Sequence, residues 1–177
     1  MPDYDDIDAL LAELRPLVFR WAFVRTGSMD DAEDVAQTVM IRVHARIGTF
    51  EGRSSLTTWV YRVTANTAGE LIRRRGIWRR VRERLAGMRP ERSAVSDPTV
   101  AIEAERVRER VQHVLRALPP RQRAAFDLVD LQGYTPTEAA EMMDMRAGTL
   151  RVHLLRARRA IRARILADAG FMAAEER

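Results

Sequence analysis

Residues 135–166 read TPTEAAEMMDMRAGTLRVHLLRARRAIRARIL and predict two helices separated by a tight turn. The segment opens with a threonine and a glutamate at capping-box spacing, and a proline occupies the first helical position between them. The first helix is predicted over 136–143, and after the turn at 144–148 the second runs to about Leu166. This arrangement is a helix-turn-helix, whose second helix enters the major groove of DNA in many DNA-binding proteins.

The second helix is strongly basic. Residues 146–164 contain seven arginines and no acidic residue. Arginine suits bidentate contact with guanine or phosphate, and a helix N-terminus favours phosphate. The alternative is a solvated arginine-rich helix from a GC-rich genome. The lack of any compensating acid favours nucleic-acid contact. The apolar residues of this helix form its predicted inner stripe: Leu150, Leu154, Ala157 and Ile161.

Charge is unevenly distributed along the 177 residues, whose formal net charge is +5. Every basic residue is arginine, and residues 71–92 hold nine of them against two glutamates. By contrast, residues 1–14 hold five acids and no base, and residues 30–34 hold four acids. Two separate basic blocks on a modestly basic chain predict two contacts with a polyanion.

The composition argues against several classes of function. There is no cysteine, which excludes disulfides, thiolate metal sites and thiol nucleophiles. The three histidines are too dispersed to suggest a shared metal. No glycine-rich phosphate loop or catalytic triad spacing is evident, so we expect no enzyme, cofactor or metal. No apolar run is long enough to span a membrane and the acidic start is no signal peptide, so we expect a soluble cytoplasmic protein.

The N-terminal half is predicted to be helical. Pro16 is placed in the first turn of a helix, where its missing N–H costs nothing, and Gly27 ends that helix. Ser28 and Asp31 have capping-box spacing at the start of the next. Gly76 is placed at the end of the third. The predicted helices span 16–26, 28–47, 56–75 and 77–86, with a loop at 48–55 and Ser54 or Ser55 as the third cap.

The C-terminal half is also predicted to be helical, and a linker precedes it. Residues 87–97 lack periodicity and contain glycine, proline and serine. Helices are predicted over 98–117 and 120–133, each opened by a proline, and no strand pattern appears. The fold is therefore predicted to be all-α, with two small helical domains, 1–86 and 98–177, joined by a flexible linker.

Specific segments carry a resemblance to a known family. LPPRQRAAFDLVDLQGYTPTEAAE at 118–141 and GTLRVHLLRARRA at 148–160 resemble region four of bacterial extracytoplasmic-function (ECF) RNA polymerase sigma factors. DAEDVAQ at 31–37 is similar to their clamp-binding helix, and SSLTTWVYRVTAN at 54–66 to their promoter-melting helix. Together the matches cover most of residues 10–166, in the family's order. The resemblance implies a factor that binds core RNA polymerase and directs promoter-specific transcription initiation.

The resemblance implies that the acidic helix docks on the β′ clamp helices of polymerase through Asp31, Asp34 and Gln37. Complementary charge would favour rapid, specific docking. The alternative is that these carboxylates only favour a helix N-terminus through its dipole. Thr38 stands where an acidic residue often follows the glutamine in the family, so one clamp contact is expected to be absent.

Capture of the minus-ten element is implied for the loop at 48–55 and the helix that follows. Asn66 matches a promoter-contacting position in some family members and could bond a flipped base. Trp59 and Tyr61 could offer stacking surfaces, although a Trp59 packed among the helices is an equal alternative. The residues implied for minus-ten DNA are Arg53, Ser54, Trp59, Arg62, Asn66, Arg73, Arg74 and Arg75.

Recognition of the minus-thirty-five element is implied for the second helix of the helix-turn-helix. Val152-His153 replaces a frequent Ser-Arg pair of the family, so the resemblance leaves the promoter sequence open without changing the class. The residues implied for this element are Thr149, Arg151, Val152, His153, Arg156, Arg158 and Arg159.

The implied partners are core RNA polymerase, through its β′ clamp helices and β flap, promoter DNA and an anti-sigma factor, with no membrane insertion. One alternative is a free-standing helix-turn-helix regulator, which would need neither the clamp-like helix nor the Asn66 helix. Another is an adaptor that mimics a sigma factor, but that class usually carries an additional signal-receiving domain.

Overall fold

The computed structural model describes residues 7–86, 114–115 and 117–175. Every regular element in these ranges is helical, as predicted. The predicted linker at 87–97 and almost all of the predicted helix at 98–117 lie outside the described residues. The helices are α1 (Ile7–Thr26), α2 (Met29–Arg46), a 3₁₀ turn (Ile47–Thr49), α3 (Leu56–Ala86), α4 (Pro120–Phe126), a π-helical turn (Asp127–Leu131), α5 (Pro136–Met142) and α6 (Ala147–Glu175).

The predicted position of Pro16 is wrong. α1 begins nine residues earlier, at Ile7, so Pro16 lies inside the helix. Proline lacks the N–H that would bond one turn back, which costs the helix a hydrogen bond. Leu14 and Val18 on either side are buried in the core, and this packing holds the helix together across the proline.

The predicted end of α1, the predicted start of α2 and one of the two predicted caps of α3 are confirmed. Gly27 has a φ of 72°, which a glycine adopts without strain, and it separates the two helices. Ser28 caps α2, with its side chain accepting from the N–H of Asp31. Ser55 caps α3 by accepting from the N–H of Thr58 at 3.1 Å. The predicted break at Gly76 is wrong, because α3 continues through it to Ala86.

The helix-turn-helix is confirmed. Thr135 and Glu138 form the complete capping box at the start of α5. Asp144, in the turn, has a φ of 51°, a left-handed conformation that aspartate tolerates better than most residues. α6 extends beyond the predicted end at Leu166, to Glu175. The predicted helix over 120–133 instead changes to a π-helical turn after Phe126.

A single apolar core runs through both halves of the described chain. It includes Val18, Val39 and Val60 in the N-terminal half, and Leu128 and Leu150 in the C-terminal half. α1 contacts α4 and α3 contacts α5, so the two halves pack on each other. Within the described ranges, no helix has an apolar stretch long enough to cross a membrane.

Candidate polymerase and nucleic-acid interfaces

The residues implied for polymerase binding lie in two different environments on α2. Asp34 and Gln37 are exposed. Asp31 is buried, and its carboxylate forms an ion pair with Arg75 of α3. Burial raises the pKa of Asp31, and the positive charge of Arg75 opposes that increase. In this structure Asp31 therefore joins α2 to α3, and of the three implied residues only Asp34 and Gln37 are accessible to a partner.

One face of α3 brings together four of the residues implied for minus-ten DNA. Trp59, Arg62, Asn66 and Arg73 follow one another at spacings of three, four and seven, which places them on a single stripe of the helix. Asn66 and Arg73 are exposed, whereas Trp59 and Arg62 are half-buried. We name this stripe the α3 DNA face.

The three consecutive arginines of α3 point in different directions. Successive helical residues are separated by about 100° around the axis, so only Arg73 lies on the α3 DNA face. Arg75 points towards α2 and pairs with Asp31. Arg74 is exposed between these two directions.

The two aromatic residues of α3 differ in exposure. Trp59 is half-buried, and its ring lies 5.4 Å from that of Phe50 in the preceding loop. Tyr61 is 5% exposed and packs edge-on against Trp21 at 5.3 Å, so the expected stacking surface at Tyr61 is wrong for this structure. Burial raises the pKa of Tyr61 to about 12.

The loop before α3 carries the other two implied minus-ten residues. Arg53 is exposed and pairs with Glu51 at 2.6 Å, an exposed contact that solvent competes with. Ser54 is half-buried and directly precedes the capping residue of α3. Both residues lie close in sequence to Trp59.

A second exposed stripe lies on α6. Thr149, Val152, Arg156 and Arg159 recur every three or four residues and are all exposed, on the side roughly opposite the buried Leu150, Leu154 and Ala157. Val152 is 45% exposed, so an apolar side chain is available between the polar ones. We name this stripe the α6 DNA face.

The remaining residues implied for minus-thirty-five DNA lie beside this face. Arg151 is exposed. Arg158 is held by Asp130, which accepts from it at 2.5 and 3.0 Å. His153 is half-buried, between the α6 DNA face and the core. In the described ranges no three acidic or histidine side chains converge as a metal site would require.

Comparisons with known proteins agree with this architecture. Residues 10–77 match the family description "Sigma-70 region 2", and residues 108–161 match "Sigma-70, region 4". The chain is 30% identical over 138 residues to the ECF RNA polymerase sigma-E factor of Escherichia coli, covering 74% of this chain and 72% of that protein. The chain belongs to the ECF sigma factor family.

One further relative supports the same family, and two solved structures share the fold of this sigma factor. It is 31% identical over 169 residues to the ECF sigma factor SigE of Mycolicibacterium smegmatis, which covers 92% of the chain but 61% of that relative. The fold resembles the sigma factor RpoE of Bartonella quintana in complex with the anti-sigma factor NepR, with a TM-score of 0.73, 23% identity and coverage of 92% and 98%. It also resembles CnrH in complex with the cytosolic domain of CnrY, with a TM-score of 0.68, 19% identity and coverage of 94% and 92%.

Sequence reasoning missed the contacts between region 2 and region 4. Asp127, 2% exposed, accepts from Arg20 of α1 at 3.2 and 3.3 Å. The indole of Trp21 donates to Gln132 at 2.9 Å, and Gln132 donates to Asp127. The one sign of these contacts in the sequence is Asp127, because an acidic residue at that position interrupts the apolar stripe of the region 4 helix.

Two further contacts join the regions through backbone carbonyls. Arg123 of α4 donates to the carbonyl of Val24 at 2.9 Å. Arg62, on the α3 DNA face, donates to the carbonyl of Glu141 in α5 at 2.6 Å. Next to this contact, a cleft of about 220 Å³ separates Asn66 from the turn at 142–145.

Proposed function

We propose that this sigma factor binds core RNA polymerase in the cytoplasm and directs it to promoters that carry a minus-ten and a minus-thirty-five element. The observation that carries the proposal is the presence on one chain of two helical stripes, on α3 and on α6, that bring the implied DNA-binding residues together. Each stripe has exposed residues and combines arginine with side chains that can contact bases, and on α3 the half-buried Trp59 also packs against the core.

The polymerase contact is assigned to the exposed part of α2. Asp34 and Gln37 project from a rigid helix whose other side packs in the core. Carboxylates at this position complement an arginine-rich docking surface on the β′ clamp helices, and region 4 would contact the β flap. Membership of the family supports both assignments.

Each DNA face has a separate task in this proposal. The α3 DNA face would hold an unpaired base of the minus-ten element with the amide of Asn66, while Arg62 and Arg73 contact phosphates. The α6 DNA face would enter the major groove at the minus-thirty-five element, where Thr149 and Val152 meet base edges. Arg156 and Arg159 would contact the flanking phosphates.

An anti-sigma factor is the proposed inhibitory partner. The similar RpoE and CnrH structures contain an anti-sigma factor and the cytosolic domain of CnrY, respectively. The chemistry proposed for the chain is binding and DNA opening, with no reaction catalysed by the chain itself.

In vitro transcription tests this function. The purified chain is combined with core polymerase from a GC-rich bacterium and a genomic promoter library, and transcript starts are mapped by sequencing. We expect new starts that share two spaced upstream elements. Sequence-specific DNA binding without new starts would contradict the proposal and favour a free-standing regulator.

A further inference from the structure

The π-helical turn of region 4 carries a carboxylate that holds one arginine of α6. The two oxygens of Asp130 accept from Nε and Nη2 of Arg158, at 3.0 and 2.5 Å respectively. A pair of parallel hydrogen bonds between a guanidinium and a carboxylate is stronger and more directional than a single contact. The side chain of Arg158 is 54% exposed, so it is long and free enough to reach a DNA phosphate once the carboxylate releases it.

This pairing distinguishes Arg158 from the other arginines of α6. Within the described residues, no carboxylate lies within ion-pair distance of any other arginine in the segment 146–164. Arg156 and Arg159 on the α6 DNA face are exposed, and each carries an uncompensated positive charge. The pair of Asp130 and Arg158 has no net charge, although the helix around it is strongly positive.

The pair lies where phosphates would run. Arg158 is seven residues after Arg151, which places both on one stripe of α6 beside the α6 DNA face. A helix in the major groove is flanked by the phosphate backbones of the duplex. Arg158 is therefore a cation at the flank of the proposed DNA contact, and the carboxylate of Asp130 accompanies it there.

A phosphate and Asp130 compete for this cation. Contact with a phosphate requires Arg158 to break both hydrogen bonds, or else brings the phosphate close to the carboxylate, where like charges repel each other. Neutralisation of phosphates supplies essentially all of the sequence-independent affinity of a protein for DNA. An arginine that is withheld from phosphates therefore lowers the affinity for every sequence.

We propose that Asp130 limits sequence-independent binding of region 4 to DNA by keeping Arg158 away from phosphates. The inference rests on the DNA contact of α6 in the function proposed above, but not on which promoter sequence is read. A π-helical turn such as the one that presents Asp130 is frequent at functional sites. Because a genome offers a large excess of non-specific sites, a lower affinity for them leaves more of the chain free to find promoters.

Binding of the full chain to a fluorescent duplex of scrambled sequence tests this role across a series of salt concentrations. Asp130→Asn removes the negative charge and offers Arg158 one acceptor in place of two. We expect this variant to bind the scrambled duplex several-fold more tightly than the unchanged chain at about 0.1 M salt. The slope of log affinity against log salt should become steeper by about 0.9, the value for one additional phosphate.

Two further variants separate the release of Arg158 from the loss of a charge. Asp130→Asn combined with Arg158→Ala has the same net charge as the unchanged chain, and we expect it to restore the original slope. Glu141→Gln removes a negative charge from an exposed position of α5 without freeing an α6 arginine, so its slope should not change. Circular dichroism and urea unfolding confirm that each variant is folded.

The outcomes distinguish this role from a purely structural one. An unaltered slope in Asp130→Asn would overturn the inference. A shallower slope in the double variant would also overturn it, because Arg158 would already contact a phosphate in the unchanged chain. Equal weakening of binding in both variants would mean that the pair only fastens the π-helical turn to α6. The expected slopes together with absent transcript starts would support the inference and count against the proposed function alone.

Discussion

Asp31 and Asp34 are three residues apart on α2 and have different physical roles. The carboxylate of Asp31 is buried against Arg75, whereas that of Asp34 is exposed. Both match the clamp-binding motif of the family, and the motif does not distinguish them. A buried, ion-paired carboxylate can affect a partner only indirectly, by positioning the helices that it joins. An exposed carboxylate can contact the partner directly.

This difference predicts separable effects on polymerase binding. Asp34→Ala combined with Gln37→Ala should weaken binding to core polymerase more than about tenfold, because it removes the exposed contacts. Asp31→Asn should change that affinity less than about threefold and the free energy of unfolding by about 1 kcal/mol, because Arg75 is 60% exposed and regains water. Fluorescence anisotropy and urea unfolding measure the two quantities. Equal losses of affinity would assign Asp31 a direct contact.

Tyr61 predicts a defined loss of stability in alkali. Its pKa is about 12 in the folded chain and about 10 when unfolded, so the unfolded state loses its proton first as the pH rises. Stability contributed by the neutral phenol is complete below pH 10 and is lost up to pH 12, by about 2 kcal/mol near pH 11.5. No lysine or cysteine titrates in this range, since the chain contains neither.

Tyr61→Phe is the matched variant for this measurement. Urea unfolding at about pH 9 and about pH 11.5 should show a smaller alkaline loss for the variant, by about 2 kcal/mol. Tyr134 also has a raised pKa, but it is present in both proteins and cancels in the comparison. An identical pH dependence would show that Tyr61 is already accessible to hydroxide in the folded chain.

At the scale of elements, the α6 DNA face predicts a change in salt dependence. Arg156→Ala on this face, combined with Arg151→Ala beside it, should weaken binding to a minus-thirty-five duplex. The slope of log affinity against log salt should become shallower by about one unit for each phosphate that the protein no longer neutralises. Arg15→Ala, an exposed arginine outside both DNA faces, is the control and should leave the slope unchanged. An unaltered slope in the double variant would mean that these arginines do not touch phosphate.

The helix boundaries show how far local signals extend. The caps at Ser28 and Thr135 were predictable because each satisfies backbone donors within three residues in sequence. Pro16 and Gly76 are weaker signals of a helix boundary. Each destabilises a helix by a limited free energy, and packing or neighbouring helix-forming residues can contribute more than that. The π-helical turn after Phe126 had no local signal.

At the scale of the whole molecule, the packing of region 2 on region 4 explains an unusual buried acid. Asp127 has a raised pKa because burial disfavours its charge, and Arg20 opposes that effect from the other region. Such a residue is costly inside an apolar core unless a partner reaches it. Here the partner is 107 residues away in sequence.

The sequence by itself determined the all-α fold, the helix-turn-helix and the two arginine-rich segments, because caps, turns and helical periodicity act over a few residues. The motifs also determined the family. Only the tertiary structure decided that Asp31 is buried, that Arg73 and Arg75 face different ways, and that region 4 packs against the α3 DNA face. These features depend on which side chains meet across distant helices, and the free energy of those interactions has no counterpart in local sequence spacing.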